Sequence, residues 1–437
     1  MNADIRPIRT PAEQAFIAAL DGLPASGDRL ADLRLAAARS FAEHGLPHRR
    51  VEEWKYTDLR TLMREAVPVA GTAAVAEADA RATLLREVEV RRIVVANGAV
   101  VPELSDLADL EAGLTITTLA SASATGDEVL SRIGGILPGR YDASLALNTA
   151  LAKDGVVITV APGTEIARPI HIAHVFAGTG AAASFARSLV VLGAGSKLTV
   201  VESFEGPQAM AYQANSATEF AVGDEAHLDV VRLQEDGDRA FHLSTLLFDV
   251  GRQAQVHAFT FGIGAAVART SLYATLSGDS SQVGFNGATL LKGRQHADST
   301  LLVDHQVPGC ESRELFKTVL DDQTRGVFQG KIVVRQAAQK TDGRMMSRAL
   351  ALGDEAEMDN KPELEIFADD VQCGHGATCG AIDDDLLFYL RARGIPMKEA
   401  QSLLVQAFVG EAIETVEHDG LREALVERAE AWLKARA

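Results

Sequence analysis

The residues best able to do chemistry lie in the last third of the chain. Cys373-Gly374-His375 sets a thiol and an imidazole two positions apart. On an extended strand, residues i and i+2 face the same side, so both side chains can address one site. Thiolate and imidazole together suit soft and borderline metals, iron included. Two donors do not close a tetrahedral site, so a metal here needs ligands from elsewhere in the fold or from another subunit. Taken alone, the same pair also describes a buried cysteine beside a hydrogen-bonded histidine. Cys379, six residues on, reads as a core residue at a strand-to-helix junction, and Cys310, after Pro308-Gly309, as structural. His305 reads as a hydrogen-bonded histidine on a strand rather than as half of an acid–base pair with Asp304. His171 and His174 are three apart on an apparent strand and face opposite sides. Gly326–Lys331, GVFQGK, imitates a phosphate loop, but it has three residues between its glycines, not four. Ile332 stands where a Ser or Thr would hold magnesium. No G-x-G-x-x-G, G-x-S-x-G or H-E-x-x-H is present, and nothing sets a nucleophile beside a base.

The elements that must position Cys373 and His375 follow from periodicity. Residues 11–65 recur at helical spacing, with Pro47 and Pro68 as punctuation. Arg92–Val101, RIVVANGAVV, places Asn97-Gly98 between β-branched runs, a hairpin signal. From about Asp154 to Gln372 short strands dominate, separated by Gly, Asp and Asn. Gly193, Gly223, Gly251 and Gly278 each precede an apolar residue by five positions: Leu198, Leu228, Val256 and Val283. A small residue follows each glycine by three positions: Ser196, Ala226, Ala254 and Ser281. A further copy is read at Gly353, Ala356 and Met358. The spacings of 30, 28 and 27 residues suit one coil of a β-solenoid. A β-sandwich is the competing fold, but its strands recur at shorter intervals of roughly 8–12 residues. After Asp383 the pattern is helical again, with breaks at Gly394-Ile395-Pro396 and Asp419-Gly420. A helical tail this apolar must dock on its own β-domain or on a partner.

Composition sets outer limits. The chain has 437 residues, 47% of them apolar, enough for a large core in two or three regions. A net charge of −18 without a basic patch argues against nucleic-acid and anionic-membrane binding. No apolar run approaches the ~18 residues of a membrane span. Met1–Thr10 has no apolar core or cleavage pattern of a targeting peptide, so a cytoplasmic location is expected. Three cysteines exclude a disulfide framework.

Several separated stretches resemble the SufB/SufD family of iron–sulfur cluster assembly proteins. They are RVEEWKYT at Arg50–Thr57, DHQVPGCESRELFKTVLDDQTRGVFQGKIVV from Asp304 to Val334, AQKTDG at Ala338–Gly343, and AEMDNKPELEIFADDVQCGHGATCGAIDDDLLFYLRARGI from Ala356 to Ile395. The EEWKYT opening and Gly376 are more similar to the SufD branch than to SufB. Gly374 and Cys379 depart from that branch, where Ser and Val are usual. The resemblance implies a mainly β chain: a right-handed parallel β-helix at 146–375, an N-terminal helical or α+β region at 1–145, and a C-terminal helical region at 376–437. It implies a non-catalytic scaffold that pairs with SufB as a heterodimer and binds the SufC ATPase through its C-terminal helices, with Leu386, Leu390, Leu403, Leu404 and Phe408 as candidate contacts. It implies a transient iron–sulfur cluster at the SufB–SufD interface, with His375 first and Cys373 second among this chain's ligands, and ATP bound on SufC rather than here. Whether the chain pairs with itself in the absence of SufB is left open. A purely structural solenoid and an independent Cys/His metalloprotein are the alternative functions.

Overall fold

A computed structural model describes residues 9–21, 29–136 and 139–436. Two sheets of ten and nine strands face each other, and the chain alternates between them from Val156 onward. In the nine-stranded sheet, successive strands begin at Ala183, Gln213, Phe241, Val267, His296, Arg325 and Glu357, each pairing in parallel with the next. The ten-stranded sheet is built the same way up to Gln372–Gly380. This is the parallel β-solenoid that the glycine-to-apolar spacing predicts.

The repeat residues stack as columns. Leu198, Leu228, Val256 and Val283 are direct register partners on consecutive rungs, and all four are buried inside. The small residues form the corner beside them. Backbone bonds tie Ser196, Ala226, Ala254 and Ser281 to the following rung, and the column continues through Cys310 and Thr341. Cys310 is therefore a corner residue, fully buried beside the Ser281 hydroxyl at 3.3 Å. The role of the glycines differs from expectation. Positive φ falls two residues later, at Gly195, Glu225, Gln253 and Ser280. Gly223 and Gly278 are needed because stacked turns touch: a Cβ would lie 2.7 Å from the Leu192 carbonyl oxygen in the first and 1.9 Å from the Arg252 nitrogen in the second. The fifth copy, Gly353–Met358, precedes a strand of the other sheet and does not continue the column.

The Asn97-Gly98 turn forms as read, both residues at positive φ, and joins Arg91–Ala96 to Ala99–Val100. The first of these strands pairs in parallel with Ile170–Val175, so the solenoid sheet begins within the N-terminal region. Val100, Leu107, Leu110 and Ile116 plug the interior at this end. Residues 75–85 pack on the ten-stranded sheet, through Ala78, Ala82, Leu84 and Leu85, while the helix Ala143–Leu151 lies over three strands of the nine-stranded sheet on its outer face. The RVEEWKYT stretch is its clasp. Trp54 is buried with the Arg269 guanidinium 3.9 Å from its ring, and Arg269 also donates to the Glu53 carbonyl at 2.9 Å. Gln329 donates to the same carbonyl at 3.1 Å, and Thr57 meets His296 at 2.9 Å.

The C-terminal helices Met397–Ile413 and Asp419–Arg436 cover the outer face of the ten-stranded sheet. Val405, Val409, Ile413, Leu421, Leu425 and Trp432 pack there with Val201, Val231, Phe259 and Leu290. No described helix is long and apolar enough to cross a membrane.

Leu228→Ala is expected to cost ~2–5 kcal/mol, because a rigid stack cannot collapse into the cavity. The exposed Gln255→Ala on the next rung is expected to fall within about 0.5 kcal/mol of the parent. Denaturant midpoints of the three proteins check this, and equal midpoints for Leu228→Ala and the parent would remove the inner column from the account of stability.

Candidate functional site

Cys373 and His375 lie on the last strand of the solenoid, Gln372–Gly380. Register places Cys373 above Gly343 and Ser312, in the column that starts at Leu198, and His375 above Met345 and Glu314. Both positions therefore face inward, on one side of the strand as i, i+2 spacing requires. Their Cα atoms are roughly 7 Å apart, close enough for the two side chains to share one ligand.

What distinguishes this rung is that, among the described residues, no further strand is stacked on it. Gln372–Gly380 and Glu357–Ile366 end their respective sheets, and neither contains a fully buried residue, whereas the strands beneath them are half or more buried. Inward-facing side chains thus open to solvent at the C-terminal end. Cys373 is half-buried against the interior cluster and His375 is exposed, on the wall of an open depression of about 590 Å³. Among the described residues, no third His, Cys or carboxylate joins the pair at ligand distance.

Cys379 corrects the expectation of a core thiol. It is exposed. It also shares the inward parity of Cys373 and His375, above Ala349. It lies on the order of 20 Å along the strand from Cys373, too far to share a single ion with it. His305 is buried and hydrogen-bonds Ser312 at 3.2 Å, as read. His171 and His174 do face opposite sides: His171 meets Ser203 at 2.8 Å, while His174 stacks on Phe204.

Burial, with Asp342 and Glu314 nearby, pushes the Cys373 thiol up, outweighing an opposing hydrogen bond from the Gly343 backbone. The free thiol is accordingly protonated at neutral pH and becomes a ligand only when a metal or a cation displaces its proton. Sequence reading missed Glu314. It is buried, lines the same depression, and neither carboxyl oxygen has a hydrogen-bond partner. Burial pushes its carboxyl up to about 8; Ser312 and Arg313 pull the other way and are outweighed. Ser312 is itself engaged by His305, and Arg313 by Asp342 at 2.7 Å. Only its place in the inward column that ends at His375 marks this glutamate.

The candidate partner face divides. Asp383 caps the helix Asp384–Ala392, which has no buried residue and presents Leu386, Phe388 and Tyr389 to solvent. Phe367 and Leu403 are exposed as well. Leu390 and Leu404 are half-buried. Phe408, expected on the partner face, packs toward the solenoid, with the Lys317 ammonium 4.3 Å from its ring. An open groove of about 740 Å³ runs between the last two helices past Leu403, Ala407 and Val426.

A two-sheet solenoid whose open last rung carries a Cys-x-His pair matches one family over nearly its whole length. Residues 174–408 match the SUF system FeS cluster assembly, SufBD core domain, and residues 23–172 the SufBD protein N-terminal region. The chain belongs to the SufBD family of iron–sulfur cluster assembly proteins. It is 32% identical to the iron–sulfur cluster assembly protein SufD of Escherichia coli over 88% of each chain. It is also 32% identical to an iron–sulfur cluster assembly SufBD family protein of Synechocystis, over 89% of this chain and 87% of the relative. A SufBD family protein of Mycobacterium tuberculosis is 31% identical over 64% of this chain and 72% of its own length.

Glu314 gives a stability test. Its folded pKa lies above its unfolded one, so the protonated side chain stabilises fully below about pH 4.5, and that contribution is lost as pH rises toward 8. Glu314→Gln keeps the shape without the titration. It is expected to be more stable than the parent at pH 8, on the order of a few kcal/mol, with the difference shrinking toward pH 5. Parallel denaturation curves that stay a constant distance apart from pH 5 to 8 would assign Glu314 an ionised state at all these values.

Proposed function

We propose that this chain is the SufD-type scaffold subunit of a SufBCD complex: it is not an enzyme, it pairs with SufB at the open end of its solenoid, and it carries SufC on its C-terminal helices. The observation behind this reading is the last rung, where two edge strands expose unpaired backbone and a two-donor site on the same surface. Exposed edges invite another chain to add to the sheet. A pair of ligands lacking two more fits cargo that is handed on, because a complete set would trap it. The nascent iron–sulfur cluster is that cargo, with His375 its more accessible ligand here and Cys373 the one that ionises on binding. The SufC face comprises the exposed Leu386, Phe388, Tyr389 and Leu403, with the half-buried Leu390 and Leu404 at its margin and Phe408 turned toward the solenoid. A stable face of this kind should bury on the order of 1,200–2,000 Å² in total.

In the reconstituted complex, His375→Ala is expected to leave folding and assembly intact and to lower the initial rate of cluster formation by about ten-fold, the scale of losing a metal-site contact. Cys373→Ala should do the same or less. Normal rates in both variants would misassign the site. Removal of the helices beyond Gly394 would uncover Val231 and Phe259, so point substitutions test the SufC face more cleanly. Leu386→Asp with Phe388→Asp is expected to abolish co-purification of SufC while SufB is retained; undiminished SufC capture would place that subunit elsewhere.

A further inference from the structure

Away from the open rung, four side chains converge on the outer face of the ten-stranded sheet. His227 and Asp229 are two apart on the strand His227–Glu235 and share its outward side. His257 is the register partner of Asp229 on the next rung. Glu417 arrives from the link between the helices Met397–Ile413 and Asp419–Arg436. His227 Nε2 lies 3.0 Å from Asp229 Oδ2 and 4.0 Å from Glu417 Oε2. His257 Nδ1 lies 3.4 Å from Asp229 Oδ1 and 3.7 Å from Glu417 Oε1. One donor atom from each of the four falls within 4.8 Å of every other, at a surface cavity of about 290 Å³.

We infer that His227, Asp229, His257 and Glu417 form a binding site for a divalent transition metal of the zinc or ferrous class, which fastens the C-terminal helices to the solenoid. The donor set is two imidazoles and two carboxylates, which suits borderline divalent ions. Bonds of ~2.1 Å to a tetrahedral ion place donor atoms roughly 3.4 Å apart, the middle of the observed range. Gln255 Oε1 lies 3.2 Å from His227 Nδ1, placed to accept its hydrogen in the tautomer that turns the Nε2 lone pair to the ion. Gln255 is then the outer partner that orients a metal-bound imidazole. One dication among them would satisfy both rings, whose centroids are 5.6 Å apart, and both carboxylates at once. The consequence is mechanical. Glu417 is the only one of the four on the helical region, so the ion would pin the inter-helix link to the sheet.

The test uses the full chain without a histidine tag, carrying Cys373→Ala, His375→Ala and Cys379→Ala so that the open rung offers no donors. Titration with Co²⁺ is expected to show one equivalent bound, with a d–d spectrum and no thiolate-to-cobalt charge-transfer band. Zn²⁺ should compete for that site and raise the thermal midpoint by a few degrees. Asp229→Asn, nearly isosteric, and Glu417→Gln, on an exposed side chain, should each weaken Co²⁺ binding at least ten-fold and abolish the Zn²⁺-dependent rise. Absence of stoichiometric binding in the parent, or unchanged affinity in both variants, would overturn the site.

Discussion

The structure depends on one packing constraint: each rung must present the same parity of side chains, at the same height, as the rung beneath it. A slip of one residue in any strand would turn a whole inner column outward. The corner holds this register. Ser196, Ala226, Ala254, Ser281, Cys310 and Thr341 occupy one buried line, and their backbone bonds set where the following strand starts. The inner columns, the outer face that seats the C-terminal helices, and the inward orientation of Cys373 and His375 are all consequences of that line.

Inward parity places two glutamates in the interior, where they behave differently. Glu202 faces the interior near the first rungs. There Arg232 at 3.2 Å, His174 at 3.7 Å and the Thr218 hydroxyl at 2.7 Å overcome the cost of its burial and hold its carboxyl at about 2. Glu314 faces the same interior near the open end with neither oxygen paired, and burial wins. The cost of a buried carboxylate is similar in both places, so the presence of partners decides its charge. An acid left unpartnered beneath the Cys-x-His rung is a local exception in a core that otherwise pairs its charges, and such exceptions concentrate at functional sites.

The solenoid, its glycine-to-apolar period, the Asn97-Gly98 hairpin and the shared face of Cys373 and His375 were legible because each is encoded by local spacing. The physical reason for the glycines was not. A sequence shows that a residue is small, but not whether the need is a positive φ or the nearness of the next turn, and here the two needs fall two residues apart. Cys379 was misread because exposure at a strand end depends on whether another rung follows, which strand composition does not report. For Phe408 the sequence left a partner face and the β-helix equally open, and only Lys317 and the sheet beneath show that it packs toward the solenoid. The cluster of His227, Asp229, His257 and Glu417 was illegible for a simpler reason: it joins residues from neighbouring rungs to one on a distant helical link.

The open rung and the chemistry on it belong to one physical problem. The N-terminal end of the solenoid is closed by antiparallel strands and by Val100, Leu107, Leu110 and Ile116. The C-terminal end has no such plug among the described residues, and Cys373 is half-buried only because one side of it is covered. Under the proposed pairing, a second solenoid laid on this end would bury the thiol further. Burial alone would raise its pKa again and make it a poorer ligand. The partner must therefore bring positive charge or the metal itself as it closes, since only these favour the thiolate in a drier site. Under that pairing, assembly and ligand activation would be coupled by electrostatics: a scaffold closing empty would hold a protonated thiol, and one closing on iron and sulfide a thiolate.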